Sequence, residues 1–300
     1  MDLASPVMAH TYARLLGRFG GSVGGWWSRL PGLVEELAVR WDLVIGDPVG
    51  RGGTSLVLRC RTADGRAAML KLTPDAAIAR DEARALRAWT ASGRVPGVWA
   101  SDGAAGALLL EAIADELPLA STPGPVDLGE IVGLLDALGG CVADLDGLPA
   151  LGERVDFLFA HWIELHALDP VVAKAVPPAR LLRAGDLARE LARDGGATPV
   201  LVHGDLHAGN VLHGKPGRGL IAIDPRACVG EAEFDAADWV YWRVAPDGWS
   251  ERCRELAAAL DLDRERLWAW AAALAPLNAA AIAARGGPSS EVAALLSTAP

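Results

Sequence analysis

The stretch His203-Gly-Asp-Leu-His-Ala-Gly-Asn-Val-Leu212, followed by Ile221-Ala-Ile-Asp-Pro225, decides the reading of this chain. Polar side chains sit there between apolar runs short enough to be strands and apolar enough to be buried. The runs Val200–Val202, Asn210–Leu212 and Leu220–Ile223 flank a loop that holds Asp205 and Asn210, and the last of them ends in Asp224. A carboxylate, a carboxamide and a second carboxylate at strand ends form a hard-oxygen set suited to Mg²⁺. Taken singly, each of these residues reads as part of a surface loop with a satisfied His–Asp pair. Their order, with the segment upstream, points to chemistry. His203 and His207 bracket an aspartate, as zinc ligands can, yet no fourth ligand stands at a usual spacing. His203 is therefore read as a brace for the loop backbone.

Upstream, Trp41–Ile45 is a short β-type run, Gly50-Arg-Gly-Gly-Thr-Ser55 is a turn, and Ser55–Arg61 and Ala67–Leu72 are apolar runs joined by Asp64-Gly65. Ala76–Trp89 predicts a helix started by Thr73-Pro74-Asp75, and Val98–Ala100 and Ala107–Ile113 predict strands. Closely spaced strands with a single helix give an antiparallel sheet, not a βαβ repeat. Tyr12–Val39 reads as helical. Past Asp115–Pro125, rich in proline, helical periodicity runs through Leu128–Leu145, Val155–Leu168, Leu181–Arg193, Glu233–Tyr241, Ser250–Leu260, Arg264–Ala284 and Glu291–Ser297. The expected fold is α+β in two lobes. A helical extension covers 1–40, a small antiparallel sheet lobe with one key helix covers 41–116, and a larger, mainly helical lobe covers 117–300.

Length and charge narrow the function. A chain of 300 residues makes one large domain or two small ones, and 51% hydrophobic with 22% charged residues is an ordinary globular composition. The net charge of −10 is uneven: residues 1–116 carry 13 basic and 13 acidic side chains, and residues 117–300 carry 15 and 25. An acidic balance argues against a nucleic-acid partner. Four scattered cysteines without metal spacing read as reduced thiols. The opening Met-Asp-Leu carries no secretory pattern. The uncharged run Leu267–Ala284 is rich in alanine and interrupted by Pro276 and Asn278, so it reads as a core helix with no membrane partner. A cytoplasmic monomer is the expectation.

The loop His203-Gly-Asp-x-x-x-x-Asn210 resembles the His-Arg-Asp-x-x-x-x-Asn loop of protein kinases, with Gly204 in place of arginine. In that form it is similar to the aminoglycoside phosphotransferase family. The run Ile223-Asp-Pro-Arg-Ala-Cys-Val-Gly-Glu-Ala-Glu-Phe-Asp235 resembles its streptomycin 6-phosphotransferase and hydroxyurea-kinase branch. So do Asp81-Glu-Ala-Arg-Ala-Leu-Arg-Ala-Trp89 and Gly106-Ala-Leu-Leu-Leu-Glu111. The resemblance spans roughly Trp41 to Trp242 and implies a kinase-like fold using ATP and Mg²⁺.

Phosphoryl transfer asks little covalent work of a protein; it needs an oriented hydroxyl, aligned phosphates and neutralised charge. Asp205 would accept the hydroxyl proton, and Asn210 and Asp224 would hold Mg²⁺. Lys71, one of three lysines in the chain and flanked by apolar residues, would reach the phosphates, with Glu82 as its partner. Gly50, Gly52, Gly53, Thr54 and Ser55 would form the turn over the phosphates, where glycine allows close backbone approach. It is not a Walker A loop, because the terminal Gly-Lys-Ser/Thr is missing. The resemblance implies adenine contacts from the backbone at Glu111 and Ile113, and a bracing role for Asp235. Glu231, Glu233, Asp238, Trp239 and Trp242 are candidate walls of an acceptor site, the carboxylates suiting a cationic acceptor. The leading expectation is a small-molecule kinase acting on a streptomycin-type aminoglycoside. Alternatives are a kinase of hydroxyurea or a fructosamine-like metabolite, and a silent nucleotide-binding regulator. A silent relative has usually lost one of Lys71, Glu82, Asp205, Asn210 or Asp224; all are present.

Overall fold

The computed structural model describes residues 3–50, 53–114, 116–141, 144–195 and 198–298. The chain forms two compact units. One comprises Met1–Glu116 with the Gly214–Gly217 turn, the other Leu117–His213 and Arg218–Pro300.

Strand alternation builds the first unit. Strands β1 (Leu43–Val49), β2 (Leu56–Thr62), β3 (Ala67–Leu72), β4 (Val98–Asp102) and β5 (Ala107–Glu111) form one sheet in the order β1-β2-β3-β5-β4. Every neighbouring pair is antiparallel, as expected from the sequence. Leu56, Leu58 and Cys60, with Ala68, Leu70, Leu72, Ala107 and Leu109, recur at every second position and face one side. There they pack against Met8 of α1 (Pro6–Phe19) and Leu30, Val34 and Leu37 of α2 (Val23–Arg40). The segment read as one helical stretch is thus two helices, parted at Gly20, whose φ of 67° suits glycine. β1 runs on past Ile45 through Pro48. This is tolerated because β1 is an edge strand with an irregular register between Ile45 and Pro48. Asp75 starts α3 (Ala76–Ala88) by accepting the Ala77 amide at 2.9 Å. β5 ends at Glu111, two residues before the expected end.

The second unit is mainly helical. Helix α4 (Leu128–Gly139) stops at the Gly139-Gly140 pair, short of the expected Leu145. Then come α5 (Leu151–Leu168), α6 (Pro170–Ala175) and α7 (Pro178–Asp194); α6 is too short to show periodicity, but Asp169 caps it ahead of Pro170. Four three-residue strands form two small antiparallel ladders: β6 (Val200–Val202) with β9 (Cys228–Gly230), and β7 (Val211–His213) with β8 (Leu220–Ala222). The run Glu233–Tyr241 divides into α8 (Ala232–Ala236) and α9 (Asp238–Tyr241), followed by α10 (Trp249–Leu260), α11 (Arg264–Ala284) and α12 (Ser289–Thr298). Helix α11 is the one described helix long and apolar enough to cross a bilayer. Of its most apolar window 67% is buried, with α5, α6, α7, α10 and α12 packed around the helix. Its apolar surface is therefore accounted for as core.

Candidate active site

In the first unit, register places the lysine. Lys71 stands opposite Val57 on β2 and Leu108 on β5, so its side chain leaves the sheet on the face away from α1 and α2. Its Nζ lies 2.7 Å from both carboxylate oxygens of Glu82 on α3, and the two side chains are 6% and 2% exposed. A buried ammonium so placed is held by charge and geometry together. Thr54 and Ser55 are buried, Gly50 and Gly53 are exposed, and Gly52 lies outside the described residues. The Glu111 amide donates to the Gly97 carbonyl at 2.8 Å, and its side chain accepts from the Gly97 amide at 3.1 Å. Ile113 follows as a buried residue beyond the strand end.

In the second unit, the two short ladders bring the remaining polar set together. Ile223 donates its amide to the Asn210 carbonyl at 2.9 Å, continuing the β7–β8 ladder, so Asp224 emerges beside Asn210. Asp224 has φ of 59°, a left-handed conformation that is costly for a residue other than glycine, and the following Pro225 disfavours helical backbone there. Such strain at a polar strand end is the kind found where function over-determines the backbone. Asn210 Nδ2 donates to the Asp205 carbonyl at 2.9 Å and to Asp205 Oδ2 at 3.1 Å. That leaves Oδ1 of the amide as the oxygen able to meet a cation. A carboxylate and one amide oxygen fit Mg²⁺, which keeps several waters and takes the rest of its shell from phosphates. No cluster of three or more His, Cys, Asp or Glu suited to a metal occurs among the described residues.

Asp205 is 30% exposed and carries a partner that the sequence reading missed. Arg154 of α5 donates from Nη2 to Asp205 Oδ1 at 2.8 Å and from Nε to the Gly204 carbonyl at 2.7 Å. The pair is 51 residues apart, and no local pattern marks it. Burial works to raise the Asp205 carboxyl. The Arg154 guanidinium, foremost among its neighbours, overcomes that and holds it below the usual carboxylate range. His207 Nε2 stands 4.0 Å from Oδ2.

The loop is braced from below. Asp235 accepts the amides of His203 at 2.5 Å and Gly204 at 2.9 Å. Burial pushes its carboxyl up to about 7 even against those two hydrogen bonds. His203 Nε2 lies 3.0 Å from the Ile223 carbonyl, tying the loop to the strand that delivers Asp224, and burial lowers its pKa to about 4. Gly204 has φ of 75°, and a Cβ there would lie 2.3 Å from the Arg226 carbonyl. That contact explains glycine where protein kinases have arginine: no side chain fits.

Two of the proposed wall residues are corrected. Glu231 is 3% exposed, paired with Arg266 and hydrogen-bonded by Trp270 Nε1 at 2.6 Å. Its carboxylate is spent inside the protein and offers nothing to an acceptor. Trp239 is 1% exposed, a core residue against the edge of Trp242 at 5.3 Å. Glu233 accepts the Asp263 amide at 3.3 Å near the start of α11. Asp238 accepts from Asn278 at 2.8 Å, and burial raises its carboxyl. The partners of Glu231 and Asp238, Trp270 and Asn278, are eight residues apart on α11, about 12 Å along its axis at 1.5 Å per residue. Trp242 is partly exposed, under the Arg243 guanidinium at 4.6 Å.

A five-stranded antiparallel sheet bearing a buried Lys–Glu pair, with a helical unit bearing the His-Gly-Asp loop, defines a small-molecule kinase of the protein-kinase-like fold. Solved structures of that fold align over most of the chain. A choline kinase from Streptococcus pneumoniae matches at a TM-score of 0.60 and 15% identity, covering 90% of this chain and 99% of its own. An aminoglycoside phosphotransferase matches at 0.55 and 19%, again covering 90% and 99%. Residues 173–286 match the family described as aminoglycoside/hydroxyurea antibiotic resistance kinase. A hydroxyurea phosphotransferase of Kitasatospora aureofaciens is 35% identical over 84% of this chain and 73% of its own length. A streptomycin 6-kinase of Streptomyces glaucescens is 30% identical over 90% and 87%. The chain belongs to the aminoglycoside phosphotransferase family, in its aminoglycoside/hydroxyurea branch.

Proposed function

We propose that this protein moves the γ-phosphate of ATP to a hydroxyl of a small antibiotic-like molecule, with streptomycin-type aminoglycosides as the leading acceptor. The observation that carries the reading is that each unit holds one polar set: Lys71–Glu82 buried in the sheet unit, and in the helical unit Asp205 and Asn210 on one loop with Asp224 at the end of the neighbouring strand. Lys71 meets the phosphates as a point charge that Glu82 keeps in place. Asp224 and the Asn210 amide oxygen hold Mg²⁺, which when bound neutralises phosphate charge. The Gly50–Ser55 turn covers the phosphates, and adenine takes the Glu111 carbonyl and the Ile113 amide. Asp205 receives the acceptor hydroxyl and fixes its direction, while His203 and Asp235 hold the loop that carries it. Because Asp205 is already paired with Arg154, it directs the hydroxyl more than it strips it of its proton, which suits a loose transition state.

Hydroxyurea is the second reading, favoured by the 35% identical relative and by the loss of Glu231 from the cationic wall. A further aminoglycoside or another small hydroxyl compound fits the same chemistry. Titration calorimetry with MgATP tests the nucleotide half of the proposal. Asp224→Ala should lose the Mg²⁺-dependent part of the affinity, and Lys71→Ala should weaken binding while adenosine still binds. Equal MgATP affinity in wild type and Asp224→Ala would remove Asp224 from the metal role.

A further inference from the structure

We propose that Arg154 is a positioning residue of the transfer step: it pins one oxygen of the Asp205 carboxylate so that the other is presented to the acceptor hydroxyl. The inference deepens the kinase reading above and rests on it. The guanidinium is a planar fork, and here its two prongs grip consecutive residues, the Gly204 carbonyl at 2.7 Å and Asp205 Oδ1 at 2.8 Å. One group thus fixes both the backbone that carries Asp205 and the rotation of its side chain. Arg154 is 9% exposed, so water competes little for these bonds.

The second oxygen is set differently. Oδ2 accepts from Asn210 Nδ2 at 3.1 Å and has His207 Nε2 at 4.0 Å, and the Asp205 side chain as a whole is 30% exposed. A carboxylate offers about four acceptor sites, so Oδ2 keeps one for a hydroxyl after Asn210 is counted. The loop cannot supply its own arginine, because the Arg226 carbonyl occupies the space where a Gly204 side chain would start. The guanidinium arrives instead from α5, 51 residues upstream, with the Phe157 ring 5.7 Å from it. The arrangement has a consequence for the acceptor: the charge of Asp205 is met within the protein, so a cationic group of the acceptor has to be held by other carboxylates.

The test is a double-mutant cycle on Arg154→Gln and Asp205→Asn, with Arg154→Lys as the conservative variant. Phosphate transfer from MgATP to streptomycin and to hydroxyurea is followed with labelled nucleotide. A misplacement on the scale of an ångström costs about 10²-fold, so Arg154→Gln should lower kcat by about that factor and leave the KM for MgATP within about twofold. Arg154→Lys should recover about tenfold of the loss, because an ammonium restores one contact of the two. In the Asp205→Asn background the same Arg154→Gln change should cost less than about threefold, since residues acting through one group are not additive. An equal factor in both backgrounds would overturn the proposal and leave Arg154 as a strut between α5 and the loop. So would near wild-type kcat in Arg154→Gln. If Arg154→Gln does not fold, Arg154→Lys carries the cycle under the same criteria. If the wild-type protein phosphorylates neither compound, it is the acceptor reading that fails. The cycle is then read on hydrolysis of MgATP by water, where non-additivity supports the proposal and a multiplicative result overturns it.

Discussion

Two ion pairs, one in each unit, contrast sharply. Lys71 and Glu82 are 6% and 2% exposed and sit on adjacent elements, a strand and the helix after it. Arg154 and Asp205 are 9% and 30% exposed and come from segments 51 residues apart. The first is sealed from water. The second is open on one side, where Asp205 still meets solvent. A sealed pair stores its value in stability, because removing one partner strands a buried charge. An open pair spends less on stability and leaves a carboxylate oxygen for chemistry. The proposed phosphoryl transfer would use the two pairs differently, with a fixed cation for the phosphates and a directed carboxylate for the hydroxyl.

The largest expected effect sharpens that contrast directly. Glu82→Gln should destabilise the protein by about 3–5 kcal/mol, because the buried Lys71 ammonium loses the carboxylate 2.7 Å from it. Arg154→Gln should cost roughly 1–3 kcal/mol, since Asp205 can turn its freed oxygen to water. Urea denaturation followed by tryptophan fluorescence measures both, and equal losses would break the distinction between the pairs.

The next effect concerns the struts under the open pair, where two groups oppose each other. His203 is fully buried and depressed to about 4 from 6.5, so the unfolded chain takes up its proton first as pH falls. It therefore contributes stability above pH 6.5 that is lost as pH falls toward 4. Asp235 is raised to about 7 from 3.8, so its contribution is present below pH 4 and is lost as pH rises toward 7. At ~1.4 kcal/mol per pH unit the slopes amount to roughly 3.5 kcal/mol for His203 and 4.5 kcal/mol for Asp235, and between pH 4 and 6.5 they cancel. Asp235→Asn should unmask stability that rises with pH, and His203→Gln stability that falls with it. Parallel pH profiles for wild type and both variants would contradict this.

A smaller effect is expected at Gly204. Gly204→Ala places a methyl against the Arg226 carbonyl and forces alanine into a left-handed conformation, a cost of about 1–3 kcal/mol. Transfer activity should fall more than stability does, because Asp205 is the next residue. The smallest effect tests the acceptor wall. Asp238→Asn should raise the KM of a cationic acceptor a few-fold at low salt and less at 0.15 M, where screening acts within ~8 Å. Glu231→Gln should leave that KM alone, since Glu231 is spent on Arg266 and Trp270.

Legibility in the sequence followed the distance over which each feature is specified. The Lys71–Glu82 pair was readable because a strand and the next helix bring close sequence neighbours together. The antiparallel sheet was readable from period-two runs and turn residues. The His-Gly-Asp loop announced itself as polar residues between buried strands. Arg154 was not readable, because nothing near Leu151–Leu168 marks an arginine aimed at a loop 50 residues on. Glu231 was misjudged for the matching reason: proximity to the loop in sequence suggested a free carboxylate, while Arg266, 35 residues later, claims it. The break of the Glu233–Tyr241 helix and the early stop of α4 also escaped pattern reading. There, tertiary fit and a glycine pair outweighed periodicity.

The role proposed for Asp205 is to direct a small-molecule hydroxyl onto the γ-phosphate of ATP. It is tested most directly by mass spectrometry of streptomycin and hydroxyurea after incubation with MgATP and either wild-type protein or Asp205→Ala. If Asp205 has this role, the wild type adds one phosphate to one of these compounds. Asp205→Ala should work about 10²–10⁴-fold more slowly, with MgATP affinity retained. Phosphorylation by Asp205→Ala at a near wild-type rate would contradict it.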